Sequence, residues 1–284
     1  MPTLPSASDI RDVVAKEDDF GHEMRVGHVI RSVGSIQMQH GGTYIDSITN
    51  KPRQFDYRCS FQKDAQVLSL PIECKNLSPL APLVVCGTKR RQDESFHEFI
   101  KSHTAFVESG KAKVFRGSSS WTWRANGQDS IYPVDGFVGK SLVRIRPDKN
   151  SFMSAPDSDI YDKWAQALSS AVDLVKLAPY LSRDLGINKP AFCAILPVVV
   201  VPDKVLWKVA YDDDGRIISE PQQITDCTLY VARKITTGWS APEQTFTFSH
   251  IHFFTLSGFS SFLSKMSMNE HAWAALFSIK AVKL

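Results

Sequence analysis

Asp56, Glu73 and Lys75 are the residues whose types and spacing could do chemistry. Two carboxylates brought together bind a divalent cation. A lysine beside them can orient an attacking water and stabilise negative charge growing on a phosphate. Glu73-Cys74-Lys75 is the one E-x-K triplet in the chain, and Lys75 shares a face with Glu73 because side chains on a strand alternate with period two. A bare triplet of this kind arises by chance about once in a chain of this length, so it carries weight only if folding brings Asp56 to it.

The alternation of apolar residues supplies that link. Phe55, Tyr57, Cys59 and Phe61 lie on one side of residues 54–61, and Leu68, Leu70, Ile72 and Cys74 on one side of residues 67–75. Both segments read as half-buried strands joined in a hairpin by residues 62–66. A hairpin symmetric about the Asp64/Ala65 peptide sets Phe61 against Leu68, Cys59 against Leu70, Tyr57 against Ile72 and Phe55 against Cys74. A one-residue slip would turn a whole strand to the wrong face, so the register is well specified. It places Ser60 opposite Ser69, Gln54 opposite Lys75, and Asp56 opposite Glu73, with Cβ atoms about 4.5–5.5 Å apart. Opposed carboxylates need a compensating cation, and a divalent metal is the simplest. Upstream, the spacing of Phe20, Met24, Val26, Val29, Ile30 and Val33 predicts a helix over 16–38. Glu23 lies in line with Val26, Ile30 and Val33, where a carboxylate is costly without a partner.

A helix with Glu23, a strand bearing Asp56, and Glu73-Cys74-Lys75 on the adjoining strand resemble the PD-(D/E)XK nuclease superfamily. The resemblance implies an α/β, restriction-endonuclease-like core, a mixed central β-sheet flanked by helices. It implies that Asp56, Glu73 and the Cys74 carbonyl hold Mg²⁺, for which Mn²⁺ can substitute, that Lys75 assists the water nucleophile, and that Glu23 is the accessory helix acid. Gln166 is similar to the helix Gln of the RecB-like branch, although Ser170 stands where that branch has Tyr. The implied activity is endonucleolytic hydrolysis of phosphodiester bonds, with DNA as substrate and a setting in restriction or phage defence. A homodimer or a partner subunit of a defence system are the assemblies it leaves open. The reading from another class is a non-catalytic nucleic-acid or partner-binding module on the same fold.

The rest of the chain reads as one domain over 1–284, with a β-rich insertion over 79–156 whose strand candidates are 112–115, 131–138 and 141–145. A short strand is expected over 43–48 after Gly41 and Gly42. A second helix over 159–177 carries Ile160, Trp164, Ala167, Leu168, Ala171, Leu174, Val175 and Ala178 as one stripe behind Ser158, an N-cap candidate. Residues 191–201 read as one buried strand parallel to a neighbour. Strands over 205–211, 216–218, 228–233 and 245–254 and a terminal helical region complete the chain.

The 284 residues carry 33 Lys plus Arg against 30 Asp plus Glu, a net charge of +3, with 43% hydrophobic residues. This composition excludes collagenous, low-complexity and mostly disordered chains. Residues 89–146 hold eleven Lys or Arg against six Asp or Glu, leaving −2 elsewhere. Lys89, Arg90, Arg91, Arg116 and Arg124, interleaved with Trp121 and Trp123, are therefore candidates to grip a nucleic-acid backbone; the resemblance adds Gln166 to them. Five cysteines without a C-x-x-C pair read as reduced thiols of a cytoplasmic protein. The longest apolar run is too short to cross a bilayer, so no membrane partner is expected.

Three further patterns read as structure. Gly139-Lys140-Ser141 lacks the first glycine of a phosphate loop, since Val134 stands there. His250 and His252 share a strand face with no third ligand nearby. Asp212-Asp213-Asp214-Gly215 fits a hairpin turn better than a calcium loop. Cys86 and His97 have no neighbour relation that would make a nucleophilic pair.

Overall fold

The computed structural model describes residues 4–46, 49–109, 112–155, 158–187, 189–237, 244–278 and 280–284, with the side chains of 16–17, 106–109, 112–116 and 159 left aside. The fold is mixed α/β. Among the described residues most strands join one large mixed sheet, and a few helices cover its faces.

The expected helix over 16–38 divides into three elements. Ala7–Glu17 is a helix whose N-cap Ser6 accepts from the Asp9 backbone N–H, and a second helix, Phe20–Arg31, begins after Asp18 and Asp19. Past Gly34 the chain turns extended, and Ile36–His40 pairs antiparallel with Tyr57–Lys63. Ile36 and Met38 pack at the edge of the core by joining a strand ladder, which overrides the helical spacing that extends to Val33. The short strand over 43–48 is Thr43–Ile45, paired with Pro52–Gln54, and Ile48 lies outside the described residues.

Tyr57–Lys63 and Gln66–Cys74 form the expected hairpin in the expected register, with Tyr57 against Ile72, Cys59 against Leu70, Ser60 against Ser69 and Phe61 against Leu68. The ladder stops at Tyr57. Gln54 pairs with Thr43, so it does not face Lys75, and Asp56 sits in a bend between two strands. Gln66–Cys74 is not half-buried: from Leu70 to Cys74 every residue is buried. The physical reason is a second covering layer. Leu68, Leu70, Ile72 and Cys74 pack with Val26 and Ile30 on one face. On the other face the helix Ser158–Leu177 lies across the sheet, burying the stripe from Ile160 to Ala178 against Val199 and Val201.

Residues 191–201 are two strands, Ala191–Ile195 and Val198–Val201, both parallel to Gln66–Cys74. Ile195 pairs with Ser69 and Val198 with Ile72, so the register is continuous across the break. Pro197, which has no N–H, marks the point where the outer neighbour changes. Ala191–Ile195 is flanked by the antiparallel strand Phe96–Ser109, and Val198–Val201 by the parallel strand Thr245–Thr255. Residues 79–156 are thus woven into the main sheet. Phe96–Ser109 and Ala112–Asn126 form a long hairpin on one side, while on the other Phe137–Asp148 joins the sheet through Asp226–Thr236, Leu83–Lys89 pairs with Phe137–Asp148, and Leu206–Ala210 lies outside Leu83–Lys89. The candidate 112–115 is the start of Ala112–Asn126. Residues 131–136 are irregular, and 141–145 lie within Phe137–Asp148.

The contact between helix and hairpin depends on a glycine. A Cβ at Gly27 would collide with the Tyr57 hydroxyl and lie 2.9 Å from Tyr57 Cζ, whereas one at Gly21 meets nothing within 4 Å. Gly27→Ala should therefore destabilise the protein by about 1–3 kcal/mol through overpacking, and Gly21→Ala should stabilise it by about 0.5–1 kcal/mol by restricting the unfolded chain. Denaturant midpoints of the two variants should move in opposite directions.

Candidate functional site

Glu73 is on the face of its strand that the helix Ser158–Leu177 covers, next to Val199 in the parallel ladder. Its side chain is 1% exposed, and neither carboxylate oxygen has a hydrogen-bond partner. Asp56 reaches the same place by another route. The bend before Tyr57 turns its carboxylate onto the end of the neighbouring strand, where Oδ2 accepts the Cys74 N–H at 2.7 Å. Alternation along the sequence pairs Asp56 with Glu73 across a ladder. The structure brings them together through this bend, anchored on the backbone between Glu73 and Lys75.

The cation that meets the pair is Lys163, from the covering helix. Its Nζ lies 3.1 Å from Asp56 Oδ2 and 3.5 Å from Glu73 Oε2. Burial and then the Asp56 charge hold the Glu73 carboxyl well above the usual carboxylate range, against the pull of Lys163. Burial alone would lower the Lys163 ammonium, but Asp56 and Glu73 outweigh it and hold it above its ordinary value. Sequence reasoning missed Lys163. No local signal marks it, because Lys163 sits one residue before Trp164 of the apolar stripe, at a position that reads as solvated helix surface.

Lys75, expected beside the carboxylates, is bonded 3.2 Å from Asp19 Oδ2. Asp19, the N-cap of Phe20–Arg31, also accepts the Asn76 N–H at 2.8 Å, and its charge acts on Lys163 too. Asp19 and Lys75 thus border the pair and clamp the chain leaving the strand. Glu23 is not part of the cluster. Its carboxylate accepts from His40 Nε2 at 2.7 Å, and its carbonyl accepts from the Tyr57 hydroxyl. Among the described residues it touches neither Asp56 nor Glu73. The Cys74 thiol is fully buried on the opposite face.

The basic residues do not assemble into one surface. Arg90 is buried, Arg91 pairs with Asp93 and Glu94, and Arg124 pairs with buried Glu98. Lys89 is exposed, and the Arg116 side chain lies outside the described residues. Gln166 lines a groove of about 550 Å³ with Tyr161, Trp164, Tyr230 and Arg233, and its carbonyl accepts from the Tyr44 hydroxyl.

The other patterns behave as structure. Lys140 sits at a bulge opposite Cys86 and Gly87 and pairs with Glu94. Asp212 Oδ1 accepts the Asp214 and Arg216 N–H groups in a turn closed by Gly215 at φ 78°. His250 and His252 are buried, and His97 is bonded to Ser130 and Leu276, with no bond to Cys86. The five cysteines are free thiols. No described helix is long and apolar enough to cross a membrane.

Among the described residues no group of three or more His, Cys, Asp or Glu gathers to hold a metal. The donor set at the pair still suits a hard cation of the Mg²⁺ type, which takes one or two carboxylates and completes its shell with water and substrate oxygens. The two Glu73 oxygens, buried without a hydrogen bond although Lys163 lies 3.5 Å from Oε2, are the acceptors such an ion would satisfy. No family model, curated protein or solved structure matches the chain.

Proposed function

We propose that the protein is a metal-dependent phosphodiesterase, a nuclease acting on nucleic acid, with DNA as the substrate favoured by the family resemblance. The observation that carries this reading is Glu73: a buried carboxylate without hydrogen-bond partners, beside a second carboxylate at the end of a central strand. Lys163 lies 3.5 Å from one of its oxygens without closing a hydrogen bond, and two acids buried side by side are costly to keep for structure alone. Support also comes from the order of elements. A helix, a three-stranded antiparallel meander, a covering helix and a strand parallel to the third follow one another as a restriction-endonuclease-like core would.

In this reading Asp56 and Glu73 hold the ion, with the Cys74 carbonyl as the further ligand that the resemblance implies. A bound Mg²⁺ or Mn²⁺ would supply a polarised phosphate oxygen and a water of lowered pKa. The chain's own residues do the rest. Asp56 is fixed by the Cys74 N–H. Lys163 is held charged and close to both acids, where it can orient water and meet charge on the phosphate. Asp19 holds Lys75 at the margin, so Lys163 has the geometry that the sequence assigned to Lys75. Glu73 must lose its proton to take the ion, so metal affinity should rise with pH. A cytoplasmic setting in restriction or phage defence belongs to the same proposal.

Asp56→Asn tests it. Plasmid and single-stranded DNA incubated with Mg²⁺ or Mn²⁺ should be cut by the unaltered protein and about 10²-fold or more slowly by the variant, the scale expected for losing an electrostatic group at the reacting phosphate. Equal cleavage by both proteins would overturn the assignment. A second reading, a non-catalytic nucleic-acid or partner-binding module, is favoured by Lys163, which already gives the pair a positive charge. Salt-sensitive binding with no metal-dependent cutting is its signature.

A further inference from the structure

A second site lies where the sheet changes neighbours, beside Leu196. A cavity of about 470 Å³ opens there, within the range of small-molecule sites. We propose that it binds a small anion bearing a flat ring, of the nucleoside monophosphate class, with Arg90 and Lys208 receiving the anionic group.

Arg90 carries the argument. The residue is 5% exposed. Its guanidinium donates from Nε to His250 Nε2, from Nη1 to the Pro133 carbonyl, and from Nη2 to the Phe137 carbonyl and the Thr228 hydroxyl. All four acceptors are neutral. They fix the fork in place without an ion pair; the Glu94 charge acts on it from beyond contact, and the Arg90 Cζ lies 5.5 Å from the centre of the Tyr132 ring. The other buried charged residues are treated differently: Glu94 meets Lys140 and Arg91, Glu98 meets Arg124, Glu73 meets Lys163, and Asp46 meets Arg53. Among the described residues no carboxylate lies within ion-pair distance of Arg90. A desolvated cation with no carboxylate in contact is costly, and an anion entering the adjoining cavity would lower that cost.

The walls agree in charge and shape. Lys208 and Lys265 also line the cavity, and the acid there is exposed Asp226. Burial and the Arg90 charge hold His250 down to about 2 and His252 down to about 4, so both imidazoles are neutral and neither competes for an anion. His252 stacks on Phe254 at 5.6 Å and 12°, and Phe262 flanks both, 4.9 Å from Phe254 and 6.2 Å from His252. This aromatic wall is a surface on which a flat ring can lie.

Calorimetric titration of the full chain without metal, using the four 5′-ribonucleoside monophosphates, their nucleosides and inorganic phosphate, tests the proposal. At least one monophosphate should bind saturably, about tenfold or more tightly than its nucleoside or phosphate, a gap of about 1.4 kcal/mol. Lys208→Ala should weaken that binding about tenfold, as loss of a charge-assisted contact does, and Phe262→Leu should narrow the margin over phosphate. Arg90→Lys should abolish binding, and Lys208→Ala serves if that protein does not fold. Absence of binding by all four monophosphates, phosphate binding as tightly as they do, or unchanged affinity in Lys208→Ala would overturn it. DNA cleavage plays no part in the measurement, so its failure leaves the phosphodiesterase reading as it stands.

Discussion

Glu73→Gln is expected to lower metal-dependent cleavage by about 10³-fold, or about 4 kcal/mol of barrier, while leaving the protein as stable as before or more so. The two effects separate because Glu73 is costly where it lies. Its carboxylate is buried with Asp56 beside it, so its pKa in the folded chain is raised above the unfolded value. For an acid shifted upward the sign is fixed. Below the unfolded value, near 4.3, the folded chain bears no penalty. As pH rises from there through the folded pKa, stability is lost. The neutral amide removes that loss, so Glu73→Gln should be more stable than the unaltered protein at pH 8. The gain should vanish below about pH 4. Asp56 remains to pair with Lys163 at 3.1 Å, so no buried cation is orphaned. Urea unfolding at pH 4, 6 and 8, run beside the cleavage assay, checks both parts. A variant that keeps activity, or that loses stability at pH 8, would remove Glu73 from the role given to it.

Lys163→Met should have the largest effect on stability, about 3–5 kcal/mol at pH 8, the cost of removing one partner from a buried charged group. Without the ammonium, Asp56 and Glu73 face each other with no cation in contact. The loss should shrink as pH falls, because Glu73 can then take up a proton and relieve the repulsion. Cleavage should fall with it, and saturating Mn²⁺ should restore part of the stability by replacing the missing charge. Lys75→Met provides the contrast. Lys75 is as exposed as Lys163, 17% each, but its partner Asp19 is 25% exposed, whereas Lys163 also meets Glu73 at 1%, so that change should cost about 1 kcal/mol or less. Equal losses from the two variants would mean that Lys163 does not carry the charge balance of the site.

The hairpin was legible in the sequence because strand alternation has a period of two and only one register satisfied every apolar residue. Tyr57 against Ile72 and Cys59 against Leu70 follow from that alone. The stripe from Ile160 to Val175 was legible for the same kind of reason, at helical period. Asp56 was located correctly for a reason only half right: alternation put it opposite Glu73, while a bend and the Cys74 N–H hold it there. The helix expected through Met38 failed because spacing cannot tell a helix from a strand whose apolar residues face the same core.

The amino-acid sequence by itself determined the faces: which side chains of each strand and helix turn inward, and hence that Glu73 and Lys75 project away from the Leu70–Ile72 side. Only the tertiary structure decided what covers those faces. The helix Ser158–Leu177 lies far along the chain from Glu73, and its packing buries the carboxylate and brings Lys163 to it. Likewise, no local pattern marks Arg90 as the buried cation without an ion-pair partner in contact, because Pro133, Phe137, Thr228 and His250 reach it from other parts of the chain. Local periodicity is a property of adjacent residues. Charge balance in a buried site is set by every element that packs against it.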